Sequence, residues 1–123
     1  MYTSQQWRDS ESIAFIKSLT RNARIYSNCP DVIRFLAEKE SLSIPEKISP
    51  LTMEPNHQYK EEIEAMCEDI RNNNAILVYF KLIDWKWFLP TPDEVESICQ
   101  ISILKQLSDG TIYTIINLTT EHK

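Results

Sequence analysis

An unbroken apolar segment, AILVYF at 75–80, constrains the fold more than any other part of the chain. The segment has no polar side to turn toward water, so it predicts a strand that is covered on both faces. Strands of this kind are typical of sheets that carry helices on both sides. The sequence Thr91-Pro92-Asp93-Glu94 then combines an N-cap, a proline at the first helical position and a capping-box glutamate, which predicts a helix from Pro92.

Helical and extended patterns alternate along the rest of the chain. Helices are predicted to begin at Asp9 or Ser10, at Pro30, at Tyr59 and at Pro92, and strands are predicted at 24–28, 43–45, 75–82, 101–107 and 111–117. This order implies crossover connections and a mainly parallel sheet. We therefore expect a three-layer α/β/α sandwich of Rossmann-like topology that ends in an antiparallel hairpin.

The length of 123 residues suits one domain. We expect a flexible lead-in at 1–9, a single α/β domain at 10–118 and a tail at 119–123. A domain of this size needs no disulfide or metal to be stable. The three cysteines are widely spaced and include no CxxC pair, so Cys67 and Cys99, which fall on apolar helix positions, are predicted to be small core residues.

Gly110 is the only glycine in the chain. Loops that cradle phosphate need several glycines so that the backbone can approach the ligand, and the P-loop and dinucleotide fingerprints are therefore excluded. The sequence Ser108-Asp109-Gly110 instead predicts a hairpin turn in which the glycine takes a positive φ.

The formal net charge is −5, and no basic stripe suited to a nucleic-acid backbone occurs. No apolar segment approaches the length of a membrane span, and the first residues do not resemble a signal peptide. His57 and His122 fit no metal-ligand spacing. We therefore expect no nucleic-acid partner, no direct insertion into a membrane, no metal site and no cofactor.

The first candidate ligand site is the passage from a strand into a helix at 26–31. Ligands of open α/β sheets bind beyond the carboxyl ends of the strands, which makes Ser27, Asn28 and Asp31 candidates. Simple capping of the helix is the commoner use of such residues. Cys29 lies at the same helix start, where a thiol pKa can fall, but no histidine base accompanies it in the sequence.

The second candidate site is the segment 81–89, which follows the apolar strand. If it is extended, Trp85 and Trp87 share one face, and Asp84 and Lys86 share the other. Tryptophan rings stack on sugars and carboxylates bind sugar hydroxyls, so a carbohydrate contact is chemically reasonable. Completion of the core, or of a domain interface, is the commoner use of clustered aromatic residues.

Several short motifs, in order, resemble a known soluble domain. They are IYSNxPD at 25–31, FL at 35–36, IP at 44–45, Tyr59 followed by Glu62 and Met66, VYF at 78–80, WxWxLP at 85–90 and DGxIY at 109–113. Together they resemble the C-terminal extramembrane domain of bacterial multi-pass membrane proteins related to GT-C glycosyltransferases of the mannosyl- and arabinosyl-transferase type. The resemblance spans roughly Ser10 to Ile115. Cys29 departs from the pattern, since a small residue is usual at its position.

The resemblance implies a non-catalytic accessory domain, because the catalytic acidic residues of that family lie in its membrane portion. It also implies an extracytoplasmic location, and as partners the membrane portion of a parent protein, a sugar or a lipid-linked sugar. The alternative is a free-standing module that binds a small ligand or a protein, cytoplasmic if the chain is complete. An enzyme that uses Cys29 is a third and weaker hypothesis.

Overall fold

The structure, a computed structural model, describes residues 4–19, 24–72, 75–81, 83 and 86–115. Its strands are β1 (Arg24–Ser27), β2 (Ser41–Ser43), β3 (Ala75–Phe80), β4 (Ile101–Leu107) and β5 (Gly110–Ile115). They form one sheet in the order β2-β1-β3-β5-β4. The α/β class and the C-terminal hairpin are confirmed.

The sheet is mixed, and the prediction of a mainly parallel sheet is wrong. β1 pairs in parallel with β2 and β3, whereas β5 pairs antiparallel with both β3 and β4. Burial follows from this order. β5 lies between β3 and β4, and its residues 110–114 are buried, whereas β4 forms the edge and is exposed over most of its length.

The helices are α1 (Ser4–Arg8), α2 (Glu11–Ser18), α3 (Pro30–Val32), α4 (Tyr59–Arg71) and α5 (Pro92–Cys99). α3 continues without a break into a π-helical turn, Ile33–Ala37. Part of the expected lead-in thus forms α1, whose Trp7 ring meets the Phe80 ring edge-on at a centroid distance of 5.3 Å. The Thr91 capping box is present and starts α5 as predicted.

Helices pack on both faces of β3, and all six of its residues are therefore buried. Ala75, Leu77 and Tyr79 point to one side and join a core formed by α4 and α5. The alternate residues, Ile76, Val78 and Phe80, join a core formed by α2 and the π-helical turn. The apolar run that dominated the sequence is therefore the centre of two separate cores.

A disulfide joins Cys67 of α4 to Cys99 of α5. Both cysteines are buried, as predicted, but the expectation that they are simple core residues in a domain without a covalent link is wrong. The two positions are 32 residues apart. Spacing of this kind does not identify a pairing, because the helix–helix contact that brings the two sulfurs together is a tertiary feature.

Gly110 has a different role from the one predicted. It has no positive φ and begins β5, so the turn is made by Ser108 and Asp109. A Cβ added at Gly110 would lie 2.5 Å from Ser12 Oγ and 2.7 Å from the carbonyl oxygen of Tyr79. Glycine is required here because another part of the backbone passes too close for any side chain.

The turn before Gly110 is attached to the start of α2. The Asp109 carboxylate accepts hydrogen bonds from the Ser10 hydroxyl and from the Ser12 hydroxyl, the latter at 2.8 Å, and also from the Ser12 N–H at 3.0 Å. In return, the Glu11 carboxylate accepts the N–H of Ser108 at 2.9 Å. This bond is the largest cause that lowers the pKa of Glu11. These contacts connect the two ends of the described chain.

A polar contact connects β1 to α4, on the face of the sheet opposite to α2. Asp69 accepts hydrogen bonds at 2.7 Å from both the Tyr26 hydroxyl and the Arg24 guanidinium. The bond from Tyr26 is the largest of the effects that lower the pKa of Asp69, and the Arg24 bond adds to it. Burial raises the pKa of Tyr26 to about 12.

The long segment between β2 and α4 is folded back on itself. Ile48 and Pro55 form an antiparallel bridge, and the Asn56 N–H donates to the carbonyl oxygen of Lys47 at 2.9 Å. The Lys47 N–H in turn donates to the carbonyl oxygen of Phe88 at 2.8 Å. The segment therefore supports the turn that follows β3.

Candidate functional site

The two segments identified in the sequence meet beyond the carboxyl ends of β1 and β3. With the start of β5 they enclose a cleft of about 340 Å³. We call it the β3-end cleft, and among the described residues its lining consists of Asn28, Tyr79, Phe80, Lys81, Ile83, Lys86, Trp87, Leu89, Pro90, Thr91, Pro92, Thr111 and Tyr113. Of the sequence candidates, Asn28 and Trp87 are brought together here.

Asn28 connects β1 to the end of β3. Its amide oxygen accepts the Phe80 N–H at 2.9 Å, and its amide nitrogen donates to the Phe80 carbonyl at 3.0 Å. The same nitrogen reaches the Ile83 carbonyl at 3.4 Å. The side chain is 4% exposed and both of its polar atoms are engaged. Asn28 therefore holds the shape of the cleft, and it neither caps the helix nor offers its amide to a ligand.

Ser27 is fully buried and lies outside the lining of the cleft. Its hydroxyl accepts the N–H of Cys29 at 3.0 Å, which closes a short turn between β1 and α3. Cys29 takes the N-cap position of α3 without a side-chain bond to the helix. Burial raises the pKa of the Cys29 thiol, although the charge of Lys86 opposes that change. The geometry therefore gives no support to an activated thiolate.

Asp31 lies on a different part of the surface. Its side chain is exposed and pairs with Arg34 one turn further along. It lines a shallow apolar depression with Trp7, Phe35 and Leu36, not the β3-end cleft. Asp31 was grouped with Ser27 and Asn28 because it is close to them in sequence. The structure instead places it away from the cleft.

Trp87 is the most exposed aromatic residue of the cleft, with 55% of its surface accessible. Its ring meets that of Phe88 edge-on at a centroid distance of 5.7 Å. The turn that carries it is held by the Leu89 N–H, which donates to the Lys86 carbonyl at 3.1 Å. Asp84 and Trp85, the other candidates of this segment, lie outside the described residues.

Two lysines line the cleft and were not among the sequence candidates. Lys86 donates from its ammonium group to the carbonyl oxygen of Asn28 at 2.8 Å. Lys81 follows β3 directly, and its N–H donates to the Asp109 carbonyl at 2.9 Å. The rule that ligands bind at strand ends could have included Lys81. No local pattern could have added Thr111, because its position depends on β5 pairing with β3.

The remaining polar side chains of the cleft are poorly suited to act as acids, bases or nucleophiles. The hydroxyl of Tyr79 donates to the Pro90 carbonyl at 2.8 Å, and burial raises the pKa of Tyr79. The pKa of Tyr113 is raised to about 12, mainly by burial and then by the charge of Glu96. Both phenols are neutral at physiological pH. The Thr91 hydroxyl accepts the N–H of Glu94 at 3.2 Å as the cap of α5.

A second, wider depression of about 880 Å³ lies along β2 and α4. Its lining includes Glu46, His57 and Glu62, and it contains no lysine or arginine among the described residues. Asn56 bridges its two carboxylate-bearing segments, because its amide donates to the Glu46 carbonyl at 2.8 Å and to Glu62 at 2.9 Å. This acidic depression is distinct from the β3-end cleft.

Within the described ranges, no group of three or more histidine, cysteine, aspartate or glutamate side chains is arranged to hold a metal ion. Of the helices in the same part of the chain, none has the length and apolar character that a bilayer crossing requires.

Neither protein-family models nor curated protein sequences match the chain. Among solved structures, it is similar to the C-terminal globular domain of an oligosaccharyltransferase from Archaeoglobus fulgidus, with a TM-score of 0.45 and 10% identity. The match covers 94% of this chain and 99% of that one. A likeness of this size carries no argument about function.

Proposed function

We propose that this chain is a non-catalytic accessory domain of a membrane glycosyltransferase-like protein, and that it positions a sugar-bearing ligand through the β3-end cleft. The observation that carries the proposal is the composition of that cleft. It presents a half-exposed tryptophan ring on a fixed turn, and its described lining contains no aspartate, glutamate, histidine or cysteine. Such a lining favours binding over acid–base or nucleophilic chemistry.

The ring of Trp87 is suited to the flat, apolar side of a sugar. Tryptophan combines a large apolar surface with low conformational freedom, which makes it an effective contact for ring-shaped ligands. The cleft is of the size that small-molecule sites commonly have. Because the Phe88 carbonyl and the Lys86 carbonyl are both engaged by backbone donors, the turn is fixed before a ligand arrives.

Chemical-shift mapping with simple sugars and sugar phosphates at millimolar concentration tests the site. The indole N–H signal of Trp87 and the amides of 86–89 should move, while that of Trp7 stays in place. Trp87→Ala should weaken the binding, whereas Phe35→Ala, which removes another exposed aromatic ring that lines a different depression, should not. Unmoved Trp87 signals with every ligand would refute the proposal.

Attachment to a membrane protein is tested separately. An antibody against this domain should detect, in native cells, a product larger than 14.4 kDa that sediments with membranes. A product of 14.4 kDa in the soluble fraction would favour the alternative, a free-standing binding module that uses the same cleft.

An extracytoplasmic location is part of the proposal. The Cys67–Cys99 disulfide supports it, since disulfides persist in oxidising compartments and are rare in the reducing cytosol. Alkylation of acid-trapped cells should therefore modify Cys29 and leave the other two cysteines unmodified until a reductant is added. Alkylation of all three cysteines without a reductant would contradict this location.

A further inference from the structure

The turn that carries Trp87 is held by Lys47, a residue outside the cleft. The main-chain N–H of Lys47 donates to the carbonyl oxygen of Phe88 at 2.8 Å. Its ammonium group donates to both carboxylate oxygens of Glu94 in α5, each at 3.0 Å. Neither Lys47 nor Glu94 is part of the described lining of the cleft. One residue of the 46–58 segment therefore contacts both the turn and the helix that follows it.

Glu94 connects Lys47 to the start of α5. One oxygen of its carboxylate accepts the N–H of Thr91, a cleft residue, at 2.7 Å, as part of the capping box. This bond is the largest effect that lowers the pKa of Glu94, and the bond from Lys47 adds to it. The carboxylate is therefore ionised at neutral pH. Water only partly screens its ion pair with Lys47, because the two side chains are 43% and 35% exposed.

The wall of the acidic depression holds Lys47 in place. Asn56, which lines that depression, donates its main-chain N–H to the carbonyl oxygen of Lys47 at 2.9 Å. Its side-chain amide donates to the carbonyl oxygen of Glu46 at 2.8 Å and to Glu62 of α4 at 2.9 Å. A continuous set of contacts thus connects α4, through Asn56 and Lys47, to the turn that carries Trp87.

We propose that Lys47 is a positioning residue of the β3-end cleft, and that it couples the cleft to the acidic depression through Asn56. The inference rests on the proposed function and adds to it the group, outside the cleft, that keeps Trp87 in its binding position. A turn held in one conformation binds with little loss of entropy, and its affinity falls with the fraction of molecules in which it is released. Changes in the acidic depression should therefore alter binding in the cleft while its lining stays the same.

Hydrogen exchange without ligand tests the hold on the turn. The amide of Leu89 reports on it, because this N–H donates to the Lys86 carbonyl at 3.1 Å. In Lys47→Met it should exchange about two- to fivefold faster, since a partly exposed ion pair contributes about that factor to a local equilibrium. Lys47→Arg keeps the charge and should keep the slow exchange. The amides of α2 should be unchanged in both variants.

Glu94→Gln tests the ion pair from its other side. This variant keeps an oxygen that can accept the Thr91 N–H and loses the charge. It should accelerate exchange of Leu89 to the same extent as Lys47→Met. The double variant should show no more than either single change, because both remove one interaction.

Asn56→Asp tests the coupling to the acidic depression. The variant keeps the oxygen that accepts the Gln58 N–H at 3.0 Å, and it loses both donations from the side-chain amide. It should also accelerate exchange of Leu89, although Asn56 lies outside the described lining of the cleft. Thermal unfolding of each variant verifies that it is folded.

Calorimetric titration with methyl glucoside tests the effect on binding. The dissociation constant should rise about two- to fivefold in Lys47→Met and in Asn56→Asp, in parallel with the faster exchange. Lys17→Met should leave it unchanged, because Lys17 is an exposed lysine of α2 outside the cleft lining.

Unchanged exchange of Leu89 in Lys47→Met would overturn the inference, and binding by the wild type would then leave the proposed function standing. Equal acceleration of the α2 amides would also overturn it, because the effect would be one of global stability. Faster exchange of Leu89 with unchanged affinity would overturn the role of Lys47 in binding. Absence of binding by the wild type would refute the proposed function, while the exchange of Leu89 would still decide whether Lys47 holds the turn.

Discussion

Loss of the Cys67–Cys99 bond should lower the free energy of unfolding by about 4 kcal/mol. The bond closes a loop with a sequence separation of 32 residues. In the chain-entropy relation, a loop of this length removes about 12 cal/mol/K from the unfolded ensemble, or about 3.7 kcal/mol at 25 °C. Domains of ordinary stability have about 5–15 kcal/mol in total, so the reduced protein should be close to its limit of stability.

Urea unfolding of the same protein with and without reductant measures this difference directly, since only the covalent bond changes. With a slope of about 2 kcal/mol per molar urea, the midpoint should fall by about 2 M on reduction. The two cysteines are at most 1% exposed, so reduction should be slow in the folded state and fast in urea. Samples must therefore be reduced while unfolded and then refolded.

Cys29→Ala is the matched control. It removes the third thiol, which could exchange with the disulfide during unfolding, and leaves the bonded pair intact. The difference between oxidised and reduced protein should be the same in this variant. Coincident midpoints, or peptide maps that find Cys67 and Cys99 as free thiols before reduction, would refute the reasoning.

Three further changes test contacts that hold the strands and helices together. Gly110→Ala should cost about 1–3 kcal/mol in urea unfolding, because the added Cβ has no space between the two atoms nearest to it; unchanged stability would mean that the strand can shift. Asn28→Ala should cost about 2–4 kcal/mol and speed hydrogen exchange of the Phe80 amide, because two buried backbone groups lose their partner; slow exchange in the variant would contradict this. The pKa of Asp69 is lowered, chiefly by the hydrogen bond that it accepts from Tyr26. Its ionised carboxylate therefore stabilises the folded state at pH values above the ordinary pKa of 3.8. This stabilisation is lost as the pH falls through the lower pKa that Asp69 has in the folded protein. Asp69→Asn should therefore be less stable than the wild type at neutral pH, with a gap that closes in acid, and a gap independent of pH would exclude the ionised carboxylate as its source.

Local patterns in the sequence predicted most of the secondary structure. Thr91 and Pro92 start α5 as expected, and the apolar residues of α4 recur at helical spacing and are buried. The apolar segment at 75–80 is the buried central strand. These features were predictable because capping, helical periodicity and continuous burial each depend on residues within a few positions of one another.

The residues of the site were predicted only in part, because a site depends on more than residues within a few positions of one another. The rule that ligands bind at strand ends pointed to Asn28 and Trp87, which do line the cleft. It also pointed to Ser27, whose hydroxyl is used by the next turn, and to Asp31, which faces elsewhere. Adjacency in sequence does not fix direction here, because successive side chains of a strand point to opposite faces and Asp31 already belongs to α3.

By itself, the sequence determined where most helices and strands begin, that β3 is central, and that glycine-rich phosphate loops are absent. The exceptions are α1, which lies in the expected lead-in, and β2, which begins at Ser41 and not at Ser43. Only the tertiary structure decided that Cys67 meets Cys99, that Gly110 is required by a passing backbone, and that β5 carries Thr111 to the cleft. Each of these depends on groups distant in sequence, whose approach is set by packing across the sheet.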